Sequence, residues 1–272
     1  MSPTRDTHAV GSVWRDRGTL LTVVVLAAVA AVAWAALLLS SGDGTMDDMA
    51  DTMPASVPGM ATLDPAAAAA FVVAWLVMMT AMMLPSAMPM LIVARATASG
   101  SPARRAAYTA AFTSGYLLVW GAIGVVVYLA QQVAAGLAGS IPSVGDAWPW
   151  IVAIVVAGAG LYQFSPLKDA CLGQCRSPIS FIMTRWRSGI RGGLELGVRH
   201  GAYCLGCCWG LMAVLVVAGA MGLAWVALIA LIVFAEKLLP GGRRAAHLTG
   251  AGLLVLAAVI AARPEVVANL PM

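Results

Sequence analysis

Residues 66–94 have the sequence AAAAAFVVAWLVMMTAMMLPSAMPMLIVA, which contains no charged side chain. A hydrocarbon core about 30 Å thick is crossed by about 20 helical residues, so this stretch is long enough to span a membrane. Inside hydrocarbon the backbone must satisfy its own hydrogen bonds, which excludes open strands and favours an α-helix. The stretch therefore predicts a transmembrane helix.

The rest of the chain has the same character. Of its 272 residues, 61% are apolar and only 10% are charged, a balance typical of proteins solvated mainly by lipid. Seven apolar stretches have, or nearly have, the length of a membrane span: residues 20–39, 66–94, 106–130, 148–164, 203–221, 223–239 and 245–262. We expect an all-α, polytopic bundle of about seven transmembrane helices. The first stretch is longer than the apolar part of a signal peptide, so we expect an uncleaved helix.

The charges between the stretches alternate along the chain. Lysine and arginine resist translocation and stay on the cytoplasmic side. Basic residues mark the second, fourth and sixth connections: Arg95, Arg104, Arg105, Lys168, Arg176, Arg185, Arg187, Arg191, Arg199, Lys237, Arg243 and Arg244. The other connections carry acidic residues or no charge. This pattern predicts an N-terminus inside and a C-terminus outside.

We divide the chain into three parts. Residues 1–65 form an N-terminal helix and an acidic, methionine-rich external loop, residues 66–262 a metal-binding membrane domain, and residues 263–272 a short external tail. The external loop is interpreted as a mobile acidic segment or as a surface that collects copper ions. The cytoplasmic connection at residues 165–202 contains two cysteines and is long enough for an interfacial helix or a folded cap.

The sequence also excludes two classes of function. The formal charge of +4 is small, and its basic residues lie beside apolar stretches, where they act as orientation signals, so no nucleic-acid partner is expected. The chain contains no P-loop pattern, so it does not resemble an ATPase.

Four methionines share one side of the second stretch. At about 100° per residue, Met78, Met79, Met82 and Met83 span an arc of roughly 140°, so their thioethers can face one neighbour or cavity. Pro85 removes a helical hydrogen bond nearby and frees a carbonyl group. Methionine is also an adaptable packing residue. Packing and metal binding are therefore both open interpretations.

All five cysteines lie in two short groups. The odd number and the grouping argue against a disulfide framework and favour metal or thiol chemistry. Both groups are predicted at the cytoplasmic membrane surface, at Cys171, Cys175, Cys204, Cys207 and Cys208. If the fifth helix starts a turn early, His200 shares a face with the second group. Free cysteine also packs as a small buried hydrophobe, which fits isolated positions better than a C-x-x-C-C run.

Thiolates and thioethers are soft ligands that suit Cu(I), whereas a set of four thiolates suits zinc. We predict a copper site, with zinc as the alternative, among Met78, Met79, Met82, Met83, Cys171, Cys175, His200, Cys204, Cys207, Cys208 and Glu236. Glu236 and Lys237 are the one acid–base pair inside an apolar stretch. They are interpreted as a self-paired interfacial anchor, or Glu236 as a ligand or counter-charge for a cation.

Taken in order, the motifs resemble the DUF2182 family of predicted metal-binding integral membrane proteins. The resemblance rests on Met78-Met79 through Pro85-Ser86, Gly115-Tyr116 with Trp120-Gly121, Cys171 and Cys175 before Pro178, Tyr203-Cys204 through Trp209, and Glu236-Lys237 with Pro240 and Gly242. It covers residues 66–262. It implies a bacterial inner-membrane protein that handles a metal, copper above all, and it implies no settled biochemical activity.

Three hypotheses follow. In the first, the protein is a copper chaperone or carrier: ions collected outside pass along the methionines, are held by the cysteines, and reach a copper-dependent enzyme or a soluble metal chaperone. In the second, it is a membrane thiol–disulfide oxidoreductase using Cys204/Cys207 and Cys171/Cys175. In the third, it is a structural membrane subunit with a zinc-stapled cytoplasmic cap. No catalytic residue is predicted, and only the second hypothesis describes an enzyme.

Overall fold

The computed structural model describes residues 17–42, 64–140, 142–217 and 223–265, and over these ranges the chain is helical and contains no strand. The all-α prediction is therefore confirmed. The described helices are α1 (Arg17–Gly42), α2 (Pro65–Thr97), α3 (Pro102–Ser140), α4 (Pro142–Tyr162), α5 (Pro166–Arg176), α6 (Pro178–Arg185), α7 (Gly189–Val217), α8 (Leu223–Leu238) and α9 (Gly242–Ala262). The acidic loop at residues 43–63 and most of the external tail lie outside the described residues.

Five of the described helices are long and apolar enough to cross a membrane, namely α1, α2, α3, α7 and α9. A sixth candidate is a broken span, because α4 and α5 are bent by 63° relative to each other. Helix α8 is apolar but has only 16 described residues, fewer than the roughly 20 that a full crossing needs. Each of the seven predicted stretches falls largely on a helix, so the chain is a multi-pass membrane protein and the count of seven is approximate.

The cytoplasmic connection predicted at residues 165–202 is helical through most of its length. It forms α5, α6 and the first half of α7, which begins at Gly189 instead of residue 203. Charged residues conceal this early start in the sequence. In the structure they point away from the bundle, where Glu195 pairs with Arg187 at 2.9 Å and with Arg199 at 2.7 Å. The first half of α7 is thus an amphipathic extension of an apolar helix.

Glycines bring α3 and α7 into backbone contact. A Cβ atom added to Gly197 would overlap the carbonyl oxygen of Phe112, and one added to Gly193 would lie 2.7 Å from the carbonyl oxygen of Tyr108. On α3, a Cβ atom at Gly115 would overlap the carbonyl oxygen of Leu194. Small residues allow this close approach between membrane helices. The contact fixes the position of α7, which carries three of the five cysteines.

Replacing Gly197 with alanine is expected to destabilise the protein by about 3 kcal/mol, because the atom it would strike belongs to backbone and cannot rotate away. Gly158 on α4 supplies the matched control, since a Cβ atom there would have nothing within 4 Å. Thermal unfolding in detergent should show a lowered midpoint for Gly197→Ala and an unchanged one for Gly158→Ala. Equal midpoints would contradict the close α3–α7 contact.

Pro85 lies inside α2 and has no N–H group to donate to the carbonyl of Ala81, four residues earlier. The indole Nε1 of Trp34 on α1 donates to that carbonyl at 3.0 Å. The free carbonyl that the sequence predicts is thus present, and its partner comes from another helix. This bond fastens α1 to α2 close to the methionines.

Candidate metal centre

Sulfur atoms from three helices meet inside the bundle. The four predicted methionines of α2 are between 0% and 6% exposed and belong to one buried cluster with the three cysteines of α7. The two cysteines of α5 pack against the same cluster. We call this set the sulfur cluster: Met78, Met79, Met82, Met83, Cys171, Cys175, Cys204, Cys207 and Cys208. The structure therefore brings together segments that the sequence only predicts to lie at a similar level.

Two thiols of the sulfur cluster face each other from different helices. The Sγ atoms of Cys175 on α5 and Cys207 on α7 are 3.9 Å apart. Along α7, the thiols of Cys207 and Cys208 donate to the carbonyl oxygen of Cys204 at 3.1 and 2.9 Å. All five thiols are free. The Cys175–Cys207 contact thus links α5 to α7.

Cys171 lies at the flank of the cluster. A Cβ atom added to Gly206 of α7 would lie 2.6 Å from the Sγ atom of Cys171. The Cys171 thiol therefore packs directly against the α7 backbone. The hydroxyl of Tyr162 donates to the carbonyl of the same glycine. Gly206 therefore leaves room for one cysteine of α5 beside α7, while Cys175 faces Cys207.

The cysteines of α7 lie deeper along the helix than predicted. Cys204 is 0% exposed, and Cys207 and Cys208 are 2% and 1% exposed. Because α7 begins at Gly189, Cys204 lies about four turns from the start of the helix. The predicted start of this helix at residue 203 is wrong, since the preceding polar residues are helical as well.

The predicted pairing of Glu236 with Lys237 is wrong. Glu236 forms an ion pair with Lys168 of α5 at 2.6 Å, and the two side chains are 2% and 1% exposed. Successive residues of a helix point about 100° apart, so neighbours on α8 face different partners. Arg176 of α5 also donates to the backbone carbonyls of Glu236 and Pro240. Helix α5, with its two cysteines, is thus fastened to the end of α8.

Lys237, which sequence reasoning did not include in the site, reaches into the sulfur cluster. Its Nζ atom donates to the Sγ atom of Cys204 at 2.9 Å and to the hydroxyl of Ser86 at 3.3 Å, and it lies 4.0 Å from the Sδ atom of Met83. The side chain is 6% exposed. Its position as an ionisable residue inside an apolar stretch is the signal that could have identified it.

His200 lies on the buried face of α7, as predicted, beside the sulfur cluster. Its ring packs against those of Phe112, Tyr116 and Phe181 with centroids 5.5 to 5.8 Å apart. The Tyr116 hydroxyl lies 3.1 Å from the Sγ atom of Cys204. The buried Nδ1 atom of His200 has no hydrogen-bond partner among the described residues. His200 therefore contacts the cluster through Tyr116.

The donor set suits one of the two predicted metals. Within the described ranges, no three His, Cys, Asp or Glu side chains form a group that could hold a metal ion as they stand, so the zinc-stapled cap has no support and the cysteines would have to move to bind copper together. Thioethers are ligands for Cu(I) but not for zinc. The thiols of Cys175, Cys204 and Cys207 together with Met83 supply soft sulfur from three helices. The types of donor atom in the cluster are those that Cu(I) prefers.

Fold and site together define a class: a multi-pass helical membrane protein with a buried cluster of thiols and thioethers. The chain belongs to the PpoB2 family, described as copper chaperones, whose family model matches residues 72–260. This range contains the entire sulfur cluster. DUF2182, which the motifs resemble, is not the family named by the match but is a related copper-associated membrane family. No curated protein and no solved structure matches the chain.

Proposed function

We propose that this protein is a copper chaperone of the bacterial inner membrane that binds Cu(I) in the sulfur cluster and delivers it to a copper-dependent enzyme or a soluble metal chaperone. The observation that carries the proposal is the convergence of soft donors from three helices, with the Cys175 and Cys207 sulfur atoms 3.9 Å apart. Membership of a copper chaperone family supports the choice of cargo. Copper enters this proposal as a substrate that is carried.

The geometry suggests different roles for the members of the cluster. Cys175, Cys204, Cys207 and Met83 are proposed as the ligands that hold the ion, because Cys175 faces Cys207 across α5 and α7, and the sulfur atoms of Cys204 and Met83 both lie at the Lys237 Nζ atom. The other members line the surrounding interior and are proposed to pass the ion to and from these four: Met78, Met79, Met82, Cys171 and Cys208.

Two further residues of the predicted site receive supporting roles. The Glu236 carboxylate is a hard oxygen ligand that suits Cu(I) poorly, and its Oε2 atom is bound to Lys168. We therefore propose that Glu236 holds α5 in place. His200 is proposed to pack the edge of the cluster through Tyr116.

A second candidate function is thiol–disulfide exchange. The same 3.9 Å contact favours it, since Cys175 and Cys207 are free thiols placed opposite each other. The pair differs from the Cys204/Cys207 and Cys171/Cys175 pairs that the sequence predicts for this hypothesis. Under this function the methionines of α2 would have no role beyond packing.

The test is the metal content of the protein purified in detergent under reducing conditions and supplied with Cu(I). We expect close to one copper per chain in the wild type and none in a Cys204→Ser/Cys207→Ser/Cys208→Ser variant, because that variant removes two of the four proposed ligands together with Cys208, which lines the cluster. The helical circular dichroism and elution volume of the variant must match those of the wild type. A copper-free wild type that cycles a Cys175–Cys207 disulfide would contradict the proposal and favour exchange.

A further inference from the structure

Lysine is unusually scarce in this protein. Of its 16 basic residues, two are lysines, Lys168 and Lys237, and the other 14 are arginines. Both lysines are buried, at 1% and 6% exposure, and Lys237 lies at the sulfur cluster while Lys168 lies on α5, the helix that carries Cys171 and Cys175. Both ammonium groups are thus in the interior, whereas the described arginines other than Arg95 are wholly or partly exposed.

The two lysines have different partners. Lys168 is neutralised by Glu236 at 2.6 Å. Lys237 has no ion pair with a carboxylate among the described residues, although Glu236 precedes it directly. A charged group inside an apolar bundle needs partners, and those of Lys237 are the Cys204 thiol, the Ser86 hydroxyl and the Met83 thioether.

The Lys237 ammonium is thus a cation with two soft donors among its three partners. Two sulfur atoms, Cys204 Sγ at 2.9 Å and Met83 Sδ at 4.0 Å, come from different helices and meet at one point, the Lys237 Nζ atom. A soft monovalent ion bound by those sulfur atoms would have to occupy the space that the ammonium group fills.

We propose that the Lys237 ammonium is an internal placeholder for Cu(I), which holds the empty site together and is displaced when the ion binds. The inference rests on the proposed function. The ammonium withdraws from the Cys204 sulfur atom as Cu(I) enters, each thiol that becomes a ligand gives its proton to solvent, and copper stays Cu(I) throughout.

The position of Lys237 allows this exchange. Helix α8 ends one residue later, at Leu238, and a lysine side chain can extend along apolar surface to place its charge in a polar region. When the ion is passed on, the ammonium returns to the sulfur atoms. Competition by the ammonium therefore limits the affinity for copper and favours its delivery.

Copper affinity tests the proposal through competition with a chromophoric Cu(I) chelator. If the ammonium leaves the site open to copper in at most about 10% of the molecules, the apparent affinity for Cu(I) is at least about tenfold weaker than that of the open site. We therefore expect Lys237→Gln to bind Cu(I) at least about tenfold more tightly than the wild type, and Lys237→Arg, which keeps the charge, to resemble it. Unchanged or weaker binding by Lys237→Gln would overturn the proposal.

A second measurement uses the wild type alone. With ¹³C at the lysine Cε position, the two lysines give two NMR signals, and the Lys237 signal is identified by its loss in Lys237→Gln. Cu(I) is expected to shift the Lys237 signal and leave that of Lys168 in place. Stoichiometric copper with an unmoved Lys237 signal would overturn the placeholder and leave the proposed function standing, whereas a protein that binds no copper would overturn both.

Discussion

Replacing Lys168 with methionine is expected to lower the free energy of unfolding by about 3–5 kcal/mol, because it leaves a buried carboxylate without its partner. The ion pair between Lys168 and Glu236 is 1% and 2% exposed. It joins α5 to α8, so its loss should also separate the Cys175 and Cys207 thiols, which face each other across α5 and α7. Thermal or detergent-induced unfolding in micelles measures the first effect and copper binding the second.

Helix α5 supplies its own control for this variant. Its next residue, Asp169, pairs with Arg243 of α9 at 3.2 Å, but the side chains are 27% and 68% exposed. Exposed ion pairs contribute about 0–1 kcal/mol, so Arg243→Gln should have little effect. A Lys168→Met/Glu236→Gln double variant should recover much of the stability, since both charges are gone. Similar losses in Lys168→Met and Arg243→Gln would contradict the buried clamp.

Cys175→Ser is expected to weaken Cu(I) binding about 100-fold, or about 2.8 kcal/mol, because it removes the thiol that faces Cys207. Cys171→Ser on the same helix is the matched variant. Its sulfur lies against Gly206 at the flank of the cluster, so the loss should stay below about tenfold. Competition with a chromophoric Cu(I) chelator measures both.

The order of these two effects is the informative result. The sequence treats the cysteines of α5 alike, whereas the structure separates a facing thiol from a flanking one. Equal losses, or a larger loss for Cys171→Ser, would contradict the arrangement of ligands proposed for the cluster. Both variants should stay folded, and their unfolding midpoints are measured beside copper binding because a buried hydroxyl costs some stability.

The sequence predicts the fold class and the shared face of the four methionines well because those features are local. Apolar length identifies membrane helices, and the period of the helix places Met78, Met79, Met82 and Met83 on one face, which is buried in the structure. The free carbonyl near Pro85 follows from the missing N–H of proline. Each of these inferences needs only neighbouring residues.

The features that the sequence did not predict depend on packing between segments that are far apart in the chain. The partner of Glu236 lies 68 residues earlier in the chain, and the residue adjacent to it points elsewhere. The start of α7 at Gly189 is hidden because Glu195 and Arg199 resemble a polar connection until their exposed face is known. Composition does carry one signal: the chain has two lysines, both are buried, and one of them, Lys237, contacts the sulfur cluster.

X-ray absorption spectroscopy at the copper edge of the Cu(I)-loaded protein tests the central claim most directly. The account predicts a first coordination shell made of sulfur alone, supplied by the thiols and the thioether of the sulfur cluster. It also predicts that Cys204→Ser/Cys207→Ser/Cys208→Ser gives no such spectrum. A shell of nitrogen or oxygen atoms around copper in the wild type would contradict the account, because it would place the ion at groups such as His200 or Glu236 and not among the sulfur atoms.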